Sequence, residues 1–235
     1  MQDIQGELPI YIQISEVITR EINAGYYIDG QRLPTEKNMA KQYNVAVGTI
    51  RKSLDRLTKQ GLIEKRHGSG NYICHSENNG SIYAFFKLEK LEGGGGLPKA
   101  KIISVDTLKA PKELNKFIKS DKVHRFRRLR FLDDTPAALE EIWLDGSVAA
   151  RIDRNKISES LYHFYKEVLG IWISRAEDWI SVGSVPEWTV DQFPITAGTT
   201  VGHIERFGWS QNNLPVEFSR TWFNPNTVRY VSRLK

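Results

Sequence analysis

The loop Arg66-His67-Gly68-Ser69-Gly70-Asn71 constrains this chain more than any other feature, because of what stands on either side of it. A Gly-x-Gly behind a basic run can cradle the phosphate of a nucleotide or approach the phosphates of DNA. The nucleotide use needs a strand before the loop and a helix after it, so that the helix N-terminus faces the phosphate. Here the order is reversed. The run "VGTIRKSLDRLTKQG" ahead of the loop sets Ile50, Leu54 and Leu57 on one helical face and Thr49, Lys52, Ser53 and Arg56 on the opposite one, with Gly61 to end the helix. Residues 62–65 and 72–74 then read as short β-runs flanking the glycine tip. A hairpin directly behind a helix is a wing. Gly68 and Gly70 let its backbone approach a sugar-phosphate rim, and Arg66 and His67 reach phosphates or the minor groove.

Upstream, Ile10, Ile14, Val17, Ile18 and Ile22 recur at three- and four-residue spacings, which predicts an amphipathic helix ending at Ala24-Gly25. A shorter helix follows, with Thr35 as N-cap, Met39 and Ala40 as its apolar stripe and Asn44 as a left-handed stop. Two short helices with a tight turn between them, behind a longer first one, make a helix-turn-helix core. Charge supports this placement. Residues 31–75 hold nine lysines and arginines against three acids, a surplus of six in a chain whose net charge is +5. Such a surface suits a polyanion.

The single cysteine, Cys74, excludes a disulfide or a cysteine-rich zinc site within the chain. No apolar run approaches the ~20 residues of a membrane span, and "MQDIQGELPI" is no secretory signal, so the reading is a cytoplasmic protein. His124, His163 and His203 show no metal-ligand spacing and read as structural, and Asp133-Asp134 reads as a turn. No catalytic residues, metal site or cofactor are expected.

The motifs "LPTEKNMAKQYNV", "GTIRKSLDRLTKQGLI" and "RHGSGNYI" together resemble the GntR family of bacterial transcriptional regulators over residues 8–75. The resemblance implies DNA contacts from Lys37, Thr49, Arg51, His67 and Gly68. The same surface adds Arg32, Lys52, Arg66, Ser69 and Gly70 as candidates. One departure stands out: family members usually open the recognition helix with Ser-Arg, and this chain has Ala46-Val47.

After residue 75 the pattern changes. The polar run "HSENNGS" reads as the joint, giving a DNA-binding domain over 1–75, a linker at 76–80 and a second domain over 81–235. The four glycines 93–96 then form a loop inside the second domain, between strands read in "SIYAFFKLEKL" and "KIISVDTL". "PKELNKFIK" and "ISESLYHFYKEVLG" read as helices. A hairpin turning at "DDTP" and strands in "ISRAEDWISVGS", "TVGHIERFGWS" and "PVEFSRTWF" complete an α+β domain on an antiparallel sheet.

Within it, "RLRFLDDTPAALEEIWL" resembles the UTRA ligand-binding domain of the HutC branch of GntR regulators, whose fold is similar to that of chorismate lyase. Arginines two apart project from one face of a strand. Arg128 and Arg130 would thus form a fork for a carboxylate, phosphate or sulfate, with Glu140 accepting from an amine or hydroxyl of the same ligand. The alternation alone leaves open whether this pair or Arg125 and Arg127 faces inward. It also leaves open whether Arg130–Glu140 is only a structural cross-strand pair. The resemblance further implies effector contacts from Ser160, Tyr162 and Glu217, and puts Phe223 where tyrosine is common. The six tryptophans read as core. The expected function is a homodimeric repressor of double-stranded operator DNA, released by a small anionic effector. The alternative is a lyase-like enzyme domain fused to a nucleic-acid-binding module.

Overall fold

The computed structural model describes residues 8–23, 26–27, 29–74, 85–92, 95–158 and 160–232. It divides into two compact units, one spanning Leu8–Lys87 and one spanning Leu88–Tyr230. The expected end of the first helix at 24–25 and the expected linker lie outside the described residues.

In the first unit, α1 (Ile10–Asn23), α2 (Glu36–Gln42) and α3 (Val47–Lys59) precede a hairpin of β1 (Ile63–Arg66) and β2 (Gly70–Ile73). Thr35 caps α2, its hydroxyl accepting from the Asn38 N–H at 3.3 Å, and Asn44 ends the turn at φ 51°. Ile14, Ile18, Met39, Ile50, Leu54, Leu57, Leu62 and Ile63 close the core, each buried side chain contributing roughly 1.5–3 kcal/mol. Two expectations need correction. Ile10 is 40% exposed, outside the buried stripe. Ser53 is buried instead of lying on the open face of α3, because its hydroxyl donates back to the Thr49 carbonyl at 3.0 Å and so needs no water.

The second unit is built on a six-stranded antiparallel sheet. Its strands are β4 (Pro98–Lys109), β5 (Lys122–Leu132), β6 (Thr135–Asp145), β7 (Ile173–Ser184), β8 (Thr200–Ser210) and β9 (Pro215–Phe223), in the order β4-β5-β6-β9-β8-β7. The sequence reading of 81–91 as one strand is too generous. Residues 81–84 lie outside the described set, and only β3 (Leu88–Lys90) forms, paired with β10 (Val228–Tyr230) in a separate two-stranded sheet. The two expected helices also shrink. Lys112–Leu114 is a single 3₁₀ turn, and the later segment is α4 (Leu161–Phe164) continuing as a π-turn over Tyr165–Leu169, ended by Gly170 at φ 69°. Asp133 makes the hairpin turn at φ 54°, accepts from the Leu97 N–H at 3.0 Å and pairs with Lys90.

Two apolar clusters cover one face of the sheet. Leu129, Leu139, Val201 and Trp222 pack with Val185 and Phe193, while Val123, Trp143 and Phe218 pack with Leu114 and Ile118. Of the tryptophans expected in the core, Trp143 and Trp222 are there; Trp172 and Trp179 are 48% and 56% exposed. The other face carries Phe126, which meets Tyr165 of the π-turn with ring centroids 6.4 Å apart.

Candidate DNA interface and effector site

The wing depends on its glycines. Gly68 sits at φ 69° and Gly70 at φ 124°, where side-chain-bearing residues are strained, and a Cβ on Gly70 would meet Arg32 Nε at 3.0 Å. Ser69 and Tyr72 tie the tip with a 2.6 Å hydroxyl–hydroxyl bond, and the Arg66 guanidinium stacks on the Tyr72 ring at 4.1 Å while pairing with Glu64. Arg32, Lys37, Arg51, Lys52, Arg66, His67 and Gly68 are all exposed, and Thr49, Ser69 and Gly70 are half-buried. Arg51, at the N-terminal end of α3, pairs with Glu36 of α2 at 2.8 Å with its side chain still 58% exposed. Ala46 adds no side-chain cap, so α3 begins without a hydroxyl over its first N–H groups. Arg56 turns inward instead, pairing with the buried Glu16 at 3.2 Å.

In the second unit the register decides which arginines turn inward. Arg128 and Arg130 are buried, at 5% and 3% exposure, on the face toward Tyr165. Arg125 and Arg127 point the other way: Arg125 bonds Asp106 at 2.9 Å, and Arg127 bonds Glu141 at 2.7 Å and lies over the Trp188 ring. The direct cross-strand neighbour of Glu140 is Arg128, not Arg130. Arg128 Nη2 reaches Glu140 Oε2 at 2.6 Å, and Arg130 Nε is 3.8 Å from Oε1. Burial pushes the Glu140 carboxyl up, but Arg128 and Arg130 overcome it and hold it below the usual carboxylate range.

Glu217 of β9 is 1% exposed and accepts from the Tyr162 hydroxyl at 2.9 Å through Oε1. Its Oε2 and the Tyr165 hydroxyl are buried without a hydrogen-bond partner of normal geometry, although they influence each other electrostatically. Burial raises the Glu217 carboxyl above its ordinary value despite Tyr165, Tyr162, Arg206 and Arg128 nearby. Ser160 has a different employment: its hydroxyl caps α4, accepting from the His163 N–H at 3.3 Å. Phe223 lies flat across Gly202, where any Cβ would come within 2.1 Å of the ring.

Three residues of this cluster escaped sequence reasoning. Arg206 of β8 makes a two-pronged bond to Asp178 of β7, at 2.6 and 2.7 Å, and Tyr230 of β10 donates to the same Asp178 at 2.7 Å. Arg206 also lies beside Tyr162 and Glu217. The polar face therefore holds Arg128, Arg130 and Arg206 against Glu140, Asp178 and Glu217. His124 is structural, set between the Thr107 hydroxyl at 2.9 Å and the Ala149 carbonyl at 2.7 Å. A separate concavity of about 500 Å³ opens on the opposite face, among Phe117, Trp179, Phe207, Trp209, Glu113 and Arg220. Among the described residues no group of three or more His, Cys, Asp or Glu is placed to hold a metal, and no helix is long and apolar enough to cross a membrane.

Comparison with known proteins decides what these two units are. Residues 10–73 match the model of the gntR family of bacterial regulatory proteins, and residues 94–229 match the UTRA domain. The chain belongs to the GntR family. Over all 235 residues, and over the full length of both chains, it is 47% identical to the HTH-type transcriptional regulator SmoD of Agrobacterium fabrum. It is 26% identical over 96% of each chain to the Escherichia coli repressor MngR of a mannosyl-D-glycerate transport and metabolism system. Among solved structures it resembles the possible transcriptional regulator YydK of Bacillus subtilis, with TM-score 0.56 at 22% identity, covering 96% of this chain and 99% of that one. This GntR regulator pairs a DNA-binding winged helix-turn-helix with a ligand-binding UTRA domain of antiparallel α+β fold. It is not an enzyme, and its relatives leave the fused-lyase reading without support.

Proposed function

We propose that the chain is a homodimeric cytoplasmic repressor that leaves its operator when the UTRA domain takes a small ligand with an anionic group. The buried fork of Arg128 and Arg130 carries the reading. Two guanidiniums share one close carboxylate, Glu140. Burial disfavours the charged form of Glu217, and the close carboxylate partners of the three guanidiniums on this face are Glu140, for Arg128 and Arg130, and Asp178, for Arg206. A ligand bringing one negative charge suits the fork, and the Tyr162 and Tyr165 hydroxyls and Glu217 are placed to bond ligand hydroxyls or an amine. Ser160 contributes by holding Tyr162 at the start of α4, and Phe223 supplies an apolar wall.

On the DNA side, Thr49, Arg51 and Lys52 at the start of α3 enter the major groove, Arg32 and Lys37 meet its phosphates, and Arg66 to Gly70 of the wing meet the flanking backbone. The domains divide at residues 75 and 81, and the linker between them takes up the change. The path to it runs from Arg206 through Asp178 to Tyr230, whose strand β10 pairs with β3. A ligand that draws Arg206 toward itself weakens the Tyr230 anchor, and β3 is the first described strand after the linker. To act, the ligand must favour one arrangement of the two domains over the other.

The test is release of the protein from a duplex covering its own promoter, read by fluorescence anisotropy, during titration with a panel of sugar phosphates, sulfonates and carboxylates. A compound that releases the wild type but not Arg130→Lys, which keeps the charge and loses the fork, supports the site. Release of both to the same extent removes Arg130 from it. Tyr230→Phe should bind the same compound and release DNA less completely.

A further inference from the structure

We propose that the concavity on the face of the sheet opposite the arginine fork is a second ligand site, and that it takes a small alkylammonium cation. Its walls are aromatic and hold one another in place. Phe117, in the turn after Leu114, meets Phe207 and Trp209 of β8 edge-on, with ring centroids 5.2 Å apart in each case. Phe207 in turn lies 4.8 Å from the Trp179 ring of β7 and 5.1 Å from the Phe218 ring of β9. The space they leave is about 500 Å³, within the range of small-molecule sites. Strand alternation keeps it apart from the fork. Glu177 and Trp179 of β7 turn toward the aromatic cavity, and Asp178 between them turns the other way, to Arg206.

Charge selects the occupant. The whole chain is basic, at +5, yet the lining of this cavity holds Glu113, Glu177 and Glu205 against Arg220 and Lys116. Arg220 is already shared by Glu113 and Glu205, at 3.1 Å each. Glu177 is left over. Its carboxylate accepts from the Trp179 indole N–H at 2.6 Å and makes no ion pair among the described residues. A carboxylate without a cation, beside a tryptophan ring, favours a ligand that gains from the charge and from the ring quadrupole together. Neighbouring rings are already used in this way. The Arg175 guanidinium stands 3.7 Å from the centre of the Trp209 ring, and that of Arg220 stands 5.4 Å from the centre of Phe218. An anion would meet the carboxylates, and a neutral apolar molecule would leave Glu177 uncompensated.

The experiment follows the indole N–H resonances of the full chain, isotope-labelled at tryptophan, during titration with three probes of one shape and different charge. These are tetramethylammonium, tert-butanol and trimethylacetate, compared at constant ionic strength. The Trp179 signal is identified as the one missing from Trp179→Leu. The expected result is that tetramethylammonium shifts the Trp179 signal saturably and binds about threefold or more tighter than tert-butanol. Glu177 is exposed, so Glu177→Gln should keep the fold. That variant should lose the preference for tetramethylammonium and bind tert-butanol as the wild type does. Equal affinity for tetramethylammonium and tert-butanol in the wild type, or tighter binding of trimethylacetate, overturns the choice of a cation. A preference that survives Glu177→Gln overturns the role given to that carboxylate. A Trp179 signal that moves with none of the three overturns the site itself.

Discussion

Arg51 and Arg128 each pair with a glutamate, at 2.8 and 2.6 Å, and the two pairs do different things. The Arg51 side chain is 58% exposed and its partner Glu36 sits on the neighbouring helix at the surface. The pair orients a cation that remains open to solvent and to a phosphate. The Arg128 side chain is 6% exposed, and its charge is spent on a carboxylate inside the protein. The lysines and arginines of residues 31–75 are exposed, except Arg56, which turns in to Glu16. In the equally arginine-rich stretch around residue 128, Arg125, Arg127 and Arg128 each pair with a carboxylate of the same unit.

The largest effect should come from breaking the internal pair. Arg128→Met leaves Glu140 buried with only the more distant Arg130, and denaturant unfolding should show a loss of about 3–5 kcal/mol. A loss below ~1 kcal/mol would mean that the carboxylate finds water, and that the contrast between the regions is overstated. Next, Arg51→Ala should leave the melting temperature nearly unchanged while weakening promoter binding about tenfold, read by anisotropy. Gly70→Ala should cost roughly 1 kcal/mol through its φ of 124° and its contact with Arg32, and should weaken DNA binding more than a wing of exposed side chains alone would suggest.

The smallest effect is a pH dependence. Burial raises Glu217 above its ordinary 4.5, so the folded state binds more protons than the unfolded state from that pH upward to the raised value. Folding stability contributed by this group is full below the ordinary value and lost as pH climbs through the window. Glu217→Gln removes that loss. Melting curves should therefore show the variant more stable than the wild type at neutral pH and level with it below pH ~4.5. The reverse order would mean that Arg206 and Arg128 outweigh the effect of burial at Glu217.

Much of the DNA-binding unit was legible because its signals are local. The Thr35 cap, the Asn44 stop and the positive-φ glycines of the wing each act within a few residues. The members of the buried polar face were legible only where the UTRA resemblance pointed, at Arg128, Arg130, Glu140, Tyr162 and Glu217, and their role toward an effector stays a proposal. Alternation offered two pairs of arginines, and only the pairing of β5 with β6 and β4 showed which turns inward. Asp178, Arg206 and Tyr230 were out of reach because their meeting depends on long-range register: 28 residues separate the first pair and 52 separate Asp178 from Tyr230. The exposed Trp172 and Trp179 defeated the expectation of a tryptophan core for a related reason, since strand order, and not composition, puts Trp179 at an edge.

The contrast between available and spent charge is tested most directly by the salt dependence of binding to the promoter duplex, compared among the wild type, Arg51→Ala and Arg128→Met under conditions where all three are folded. The account predicts that Arg51→Ala lowers the slope of log affinity on log salt by about one unit, while Arg128→Met leaves it at the wild-type value. An unchanged slope in Arg51→Ala, or an equal fall in both variants, would contradict it.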